Sequence, residues 1–177
     1  MVKPVLIVAG AIPVLFAILI AVPLVTKPEI PTSAVVPEDE IKIEYTKHQL
    51  KVVSFGVTDR TGSQYTEILT IKDDGEVAYR VVEEGFPRPD KETSISQDKL
   101  KKITALIKET GFMEIPSESF PVKEGITEYN KSTIKVTLND QTRQIHWPEQ
   151  NATDKFVPPI ISMVEAELEQ IKKQLIE

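Results

Sequence analysis

A run of 22 residues from Pro4 to Val25 (PVLIVAGAIPVLFAILIAVPLV) carries no charged side chain between Lys3 and Lys27. A bilayer core asks for roughly 20 apolar residues in a helix, so this stretch is long enough to cross one. Fourteen of its residues are Val, Ile, Leu or Phe, and at about −0.4 kcal/mol each they favour insertion by about 5 kcal/mol at most. Pro13 removes one helical hydrogen bond and introduces a kink, a defect that membrane helices tolerate. A secretory signal peptide also opens on a positive residue, but its apolar region is usually about 7 to 15 residues long and ends at a small-residue cleavage site. Here the stretch is longer and runs into Thr26, Lys27 and Pro28, and the best cleavage candidate, Thr32-Ser33-Ala34, lies well past the usual distance. The expectation is a retained transmembrane anchor over residues 1–25, in contact with the lipid bilayer through residues 4–25. Cleavage, or burial in a soluble core, are the alternatives.

Orientation is weakly encoded, because Lys3 and the terminal amine precede the span and Lys27 follows it at once. The complete absence of Cys and the two sequons Asn130-Lys131-Ser132 and Asn151-Ala152-Thr153 favour export of the C-terminal part. The expected location is therefore the cell membrane, single-pass, with the C-terminal domain extracytoplasmic and Asn130 and Asn151 as candidate glycosylation positions. Without a lipobox cysteine, lipid anchoring in the bacterial style is excluded.

Residues 26–40 (TKPEIPTSAVVPEDE) hold three prolines, small side chains and an acidic end, the composition of a Pro-rich linker. Residues 41–177 are then of ordinary size for one domain that buries its own core. From Ile41 onward 19 Lys and Arg face 23 Asp and Glu, interspersed along the chain. That balance argues against nucleic acid as a partner, since a phosphate-binding surface needs a basic stripe. The nearest candidate, Lys99, Lys101, Lys102 and Lys108, shares its helix with Asp98 and Glu109.

Ile41, Ile43 and Tyr45 alternate with Lys42 and Glu44, the period of a half-buried strand, and Leu50 to Val57 continues in β-branched and aromatic residues. Tyr65 to Ile71 and Glu76 to Val82 flank Asp73-Asp74-Gly75, whose glycine supplies the positive φ of a tight hairpin. After a loop over Glu84 to Thr93 comes a helix with Ser96 as N-cap, Ile95 placed to staple against Leu100, and Gly111 to end it. Leu100, Ile103, Leu106 and Ile107 form its buried stripe. Following a loop from Pro116 to Asn130, a second hairpin turns at Asn139-Asp140, with Ile134, Val136 and Leu138 on one side and Ile145 and Trp147 on the other. Trp147 reads as core. A last helix starts at Pro158-Pro159 and buries Ile160, Val164, Leu168, Ile171 and Leu175. Strands, helix, strands, helix give an α+β domain: a small antiparallel sheet of two hairpins plus a leading strand, with two helices on one face.

Ile68-Leu69-Thr70-Ile71-Lys72-Asp73-Asp74-Gly75-Glu76-Val77, the helix after it, Gly111-Phe112-Met113-Glu114-Ile115-Pro116, and the later strand pair with its terminal helix together resemble a family of uncharacterised exported or membrane-anchored microbial domains. In that family a "DG" hairpin leads to a helix ending in a "GF" motif. The resemblance spans about Val52 to Leu175, and the short anchored form is similar to archaeal members. Many bacterial members carry a cysteine pair before the first hairpin, where this chain, from Ser54 to Tyr65, has none. The resemblance implies the fold and transfers no functional residue.

No catalytic set is legible. There is no Cys nucleophile, and His48 and His146 lie far apart in sequence. Two histidines and scattered carboxylates fall short of a zinc set, and Asp73, Asp74 and Glu76 do not follow the spacing of the calcium loop. Only six glycines follow Ile41, none in a phosphate-binding pattern. No metal and no cofactor is expected. Phe86 and Arg88, in the Phe86-Pro87-Arg88-Pro89 segment, are the candidate interaction loop, because aromatic, Arg and Pro side chains favour interfaces. The expectation is a membrane-anchored extracytoplasmic module that binds or scaffolds through a protein or envelope-glycan partner without catalysis. The first alternative is a hydrolase or carbohydrate-processing enzyme whose carboxylates converge only in three dimensions. The second is an accessory subunit whose Ala9, Gly10 and Ala17 pack against a larger membrane partner.

Overall fold

The computed structural model describes residues 32–54, 56–116 and 120–176. The expected membrane span lies outside the described residues. Among those residues no helix is long and apolar enough to cross a membrane.

β1 (Ile41–Ser54) is the central strand. It pairs antiparallel with β2 (Asp59–Ile71) on one side and with β6 (Glu128–Leu138) on the other. Outside β2 lies β3 (Glu76–Glu83), and outside β6 lies β7 (Gln141–Pro148). Two short pieces, β4 (Phe86–Pro87) and β5 (Lys91–Ser94), both pair with β3 and bring the antiparallel sheet to seven strands. α1 (Gln97–Glu109) and α2 (Pro159–Ile176) complete an α+β fold.

The alternation in the sequence explains which face is covered. Ile41, Ile43, Tyr45, Leu69, Ile71, Val77, Tyr79, Ile134, Val136, Ile145 and Trp147 are all buried and share one parity across the registered strands. The other parity carries Lys42, Glu44, Thr46, Thr70, Arg80, Thr133, Lys135 and His146, which remain half-buried or exposed. Both helices cover the apolar face. α1 contributes Leu100, Ile103, Leu106 and Ile107, with the Ser96 side chain accepting from the Lys99 N–H at its start and Gly111 in left-handed conformation just past its end. Arg143 on β7 donates to the carbonyl of Met113, which ties the end of that helix over the same face.

Three elements differ from expectation. The segment Glu84 to Thr93 is not a loop: Glu84 (φ 50°) and Gly85 (φ 86°) close a two-residue turn that returns Phe86 and Pro87 onto β3, and Lys91–Ser94 then extends the same edge. Positive φ at both turn positions matches the twist of paired strands, so a Glu-Gly dipeptide serves where Asn-Gly is usual. α2 buries Ile161 in place of Ile160, with Val164, Leu168 and Ile171 following at helical spacing; Ile160 and Leu175 are half-buried. Finally, the sheet is larger than two hairpins and a leading strand. β1 and β2 run on past their neighbours as a two-stranded arm, with Gln64 left over between the pairs Gln49–Tyr65 and Leu50–Ser63 as a bulge.

The expected turns hold elsewhere. Asn139 (φ 46°) and Asp140 (φ 65°) join β6 to β7, and Gly75 (φ 87°) closes the β2–β3 hairpin, where Asp74 accepts from the Glu76 N–H. The folded head takes in the chain from Thr32 onward. The Asp39 side chain, 1% exposed, accepts from Lys108 at 2.7 Å and from Asn139 at 2.8 Å, so the last residues before β1 are tied to α1 and to the β6–β7 turn.

Candidate functional site

The covered face of the sheet changes character along its strands. On β1 the inward positions run Ile41, Ile43, Tyr45 and then Lys47; on β6 they run Val136, Ile134 and then Ser132 and Asn130. Where the apolar series stops, one registered row crosses four strands as Glu67, Lys47, Ser132 and Trp147.

α2 lies along that row. Beside its buried stripe it carries a polar flank, Ser162, Glu165, Glu169 and Lys172, and three members meet the row in order. Lys172 donates to Glu67 Oε2 at 2.9 Å, Glu169 Oε1 lies 3.5 Å from Lys47 Nζ, and Ser132 donates to Glu165 Oε1 at 2.9 Å. The dimensions agree: ten residues of helix rise about 15 Å, and three interstrand spacings span about 14 Å. The helix therefore crosses the strands nearly at right angles, from β7 to β2.

Two tyrosines lock this seam. The Tyr45 hydroxyl is 3.0 Å from Glu165 Oε1 and 2.8 Å from Glu169 Oε1, shared as donor between them, and the Tyr79 hydroxyl donates to Glu67 at 2.5 Å. Burial, then the adjacent Glu165 and Glu169 carboxylates, push the Tyr45 phenol far above its ordinary range. Burial opposes the charge on Lys172, yet hydrogen bonds to Glu169 and Glu67 outweigh it and hold the ammonium above the usual lysine value. The same balance holds Glu169 below the usual glutamate value: burial raises it, while Lys172, Tyr45 and Lys47 together pull it down.

At the β7 end the seam opens into a cleft of about 280 Å³. Its floor is Lys47, Ser132 and Trp147, with Asn130 one row further along the strands. Ser162 and Glu165 of α2 form one wall, and Glu149, Gln150 and Val157, from the segment between β7 and α2, close the other. Glu149 braces that wall with both oxygens, accepting from the Asn130 backbone N–H at 3.1 Å and from Asn130 Nδ2 at 3.2 Å. Glu165 takes Tyr45 and Ser132 on Oε1 alone, so Oε2 has no partner among the described residues.

Trp147 is 4% exposed and is the chain's one tryptophan. Its indole N–H has no hydrogen-bond partner among the described residues, where every fully buried side-chain nitrogen or oxygen does have one. The N–H therefore keeps access to solvent, and Trp147 lines the cleft.

The residues singled out in the sequence fall in several places. Asn130 sits on β6 with its amide held by Glu149 and with Ser132 of its sequon buried, whereas Asn151 is exposed in the short 3-10 turn Gln150–Ala152. Phe86 is 77% exposed on the β4 edge, and Arg88 is ion-paired with Glu83 while its backbone N–H donates to Val81. His48 and His146 share the uncovered face, on strands either side of β6: His48 Nδ1 is 2.9 Å from Thr66 Oγ1, and His146 Nδ1 is 3.0 Å from Thr133 Oγ1. Burial, and then Lys131 between them, depresses both imidazoles below the ordinary histidine value. Asp73 and Asp74 belong to the hairpin turn, and Glu76 opens β3, paired to Lys72 at 2.6 Å. No group of three or more His, Asp or Glu among the described residues is placed to hold a metal ion. Lys47, Ser132, Glu149, Ser162 and Glu165 were not singled out. The available signal was the recurrence of polar residues at 162, 165, 169 and 172 beside an apolar stripe, which marks a helix flank facing something other than water.

No protein-family model matches the chain, and no curated protein sequence matches it.

Proposed function

We propose that the chain is a membrane-tethered binding module: the apolar leader holds it to a bilayer, and an extracytoplasmic α+β head engages an envelope component through the cleft at the end of the α2 seam. What supports binding over hydrolysis is the condition of the two cleft carboxylates. Carboxylate-dependent hydrolysis of a glycosidic bond uses one acid as proton donor and a second as base or nucleophile, both free to reach the substrate. Glu149 commits both oxygens to Asn130, so one carboxylate oxygen of Glu165 is left to act alone. A single acceptor beside a donor is the equipment of recognition.

The test is protease treatment of intact cells carrying the full chain with a C-terminal tag. Loss of the tagged head from a membrane-bound fraction supports the reading. A head that stays protected until the cells are lysed, or that fractionates with the cytosol, refutes it. Release of reducing ends from envelope glycans by the purified chain, abolished by Glu165→Gln, would favour the hydrolase.

A further inference from the structure

We infer that the cleft at the β7 end of the α2 seam is a saccharide site of one or two pyranose rings, with Trp147 as donor and Glu165 as acceptor. This rests on the binding-module reading and adds to it the class of ligand.

The seam is a matched series. Glu67 has Lys172 above it, Lys47 has Glu169, and Ser132 has Glu165. Trp147 closes the same row, and its N–H has no partner among the described residues although the residue is only 4% exposed. That N–H meets solvent instead, so a ligand hydroxyl that accepts from it would take the place of a water. Also lining the cleft without a hydrogen-bond partner among the described residues are Oε2 of Glu165 and the Ser162 hydroxyl on the helix wall. The lining of this cleft of about 280 Å³ therefore includes a donor, a charged acceptor and a hydroxyl that have no partner among the described residues.

That set selects by chemistry. An anion meets Glu165 and Glu149, and a purely cationic ligand meets Lys47 and leaves the indole N–H unsatisfied. An apolar ligand strands every polar group on the wall, which is the costly case. A sugar hydroxyl donates and accepts at once, so neighbouring hydroxyls of one ring satisfy a carboxylate oxygen and an N–H together, while ring C–H groups lie against the Trp147 edge and Val157. The volume sits near the floor of the roughly 300–1,000 Å³ range of ligand pockets, which suits a mono- or disaccharide and not a long chain.

The chain's one tryptophan makes the test direct. The full chain is reconstituted in lipid nanodiscs, because detergents with sugar head groups would compete. Glucose, galactose, N-acetylglucosamine and the β1-4 disaccharides of glucose and of N-acetylglucosamine are titrated against Trp147 fluorescence, with glycine and glutamate as amphoteric and anionic controls. At least one sugar is expected to give a saturable change in the millimolar range, weakened at least about tenfold by Glu165→Gln, which removes a charge-assisted hydrogen bond while leaving an acceptor for Tyr45 and Ser132. Ser162→Phe, on the exposed side of the helix wall, is expected to abolish it by filling the cleft mouth without touching the core. No response to any sugar, an unchanged response in Ser162→Phe, or a saturable response to the amino acids alone would overturn the assignment. A negative titration with a head that proteases reach on intact cells leaves the binding-module reading standing. A positive titration with a cytosolic head sinks that reading and keeps the site.

Discussion

Replacing Lys172 by Met removes the cation from the seam and leaves its packing volume in place. The ammonium is 9% exposed and sits 2.9 Å from Glu67 and 2.8 Å from Glu169, whose side chains are 17% and 25% exposed. Taking one partner out of a buried ion pair costs about 3–5 kcal/mol, because the remaining charge stays desolvated. Here the two glutamates keep some contact with water and with Tyr79, Tyr45 and Lys47, so the lower end, about 3 kcal/mol, is expected. For a head of this size that lowers the melting temperature by roughly 10 °C. The pH dependence gives a second reading. Glu169 is held below the ordinary 4.5, so its contribution is present above that value and is lost as pH falls through the folded value. Lys172 is held above 10.5, so its contribution is whole below that value and fades only as pH rises past it. The gap between parent and Lys172→Met should therefore be widest from about pH 5 to 10 and narrow in acid, where Glu169 takes up a proton. Adding Glu67→Gln and Glu169→Gln to Lys172→Met should restore more than half of the loss. Urea unfolding followed by circular dichroism at several pH values measures all three. A loss under about 1 kcal/mol, or one that does not change between neutral and acid pH, refutes the argument that the seam is held by desolvated charge.

Other consequences can be checked singly. Gly75→Ala should cost about 2 kcal/mol in thermal unfolding, since φ is 87° and the added Cβ would stand 2.9 Å from the Ile95 carbonyl oxygen, a backbone atom with little room to yield. Leu168→Ala, at a fully buried position on α2, should cost about 2–5 kcal/mol by the same measurement. The imidazoles of His48 and His146 should both titrate below 6.5 by NMR, and both midpoints should rise in Lys131→Met, the cation named second to burial in each case. Because a depressed histidine binds fewer protons folded than unfolded, the parent should lose stability as pH falls through the mid-sixes, and Lys131→Met should lose less.

The fold was legible where one physical signal dominated. Period-two alternation at Ile41-Ile43-Tyr45 and Ile134-Val136, the Ser96 cap with Gly111 behind it, and the Asp73-Asp74-Gly75 and Asn139-Asp140 turns each name a local geometry that tertiary contacts had no reason to override. Glu84–Gly85 escaped because a turn with a non-glycine residue at positive φ has no strong composition, and the Pro87 and Pro89 around it read as loop. The candidate site was hidden for a different reason. Its floor is assembled from Lys47, Ser132 and Trp147, which are neighbours only through strand register, and its acceptor is free only because Tyr45 and Ser132 both use the other oxygen. Spacing along one chain carries neither fact. The two histidines teach the same lesson, separated by 98 positions in sequence yet on one face of the sheet, a strand apart from each other.

The place of β1 in the sheet has a mechanical consequence. The chain enters the sheet through β1, a strand laced on both sides, to β2 and to β6, over most of its length. A pull along β1 loads those two ladders lengthwise, so many hydrogen bonds must yield together in shear, whereas a pull that lifts an edge strand would peel them one by one. A sheet gripped by its middle strand withstands such a load better than one gripped by its rim.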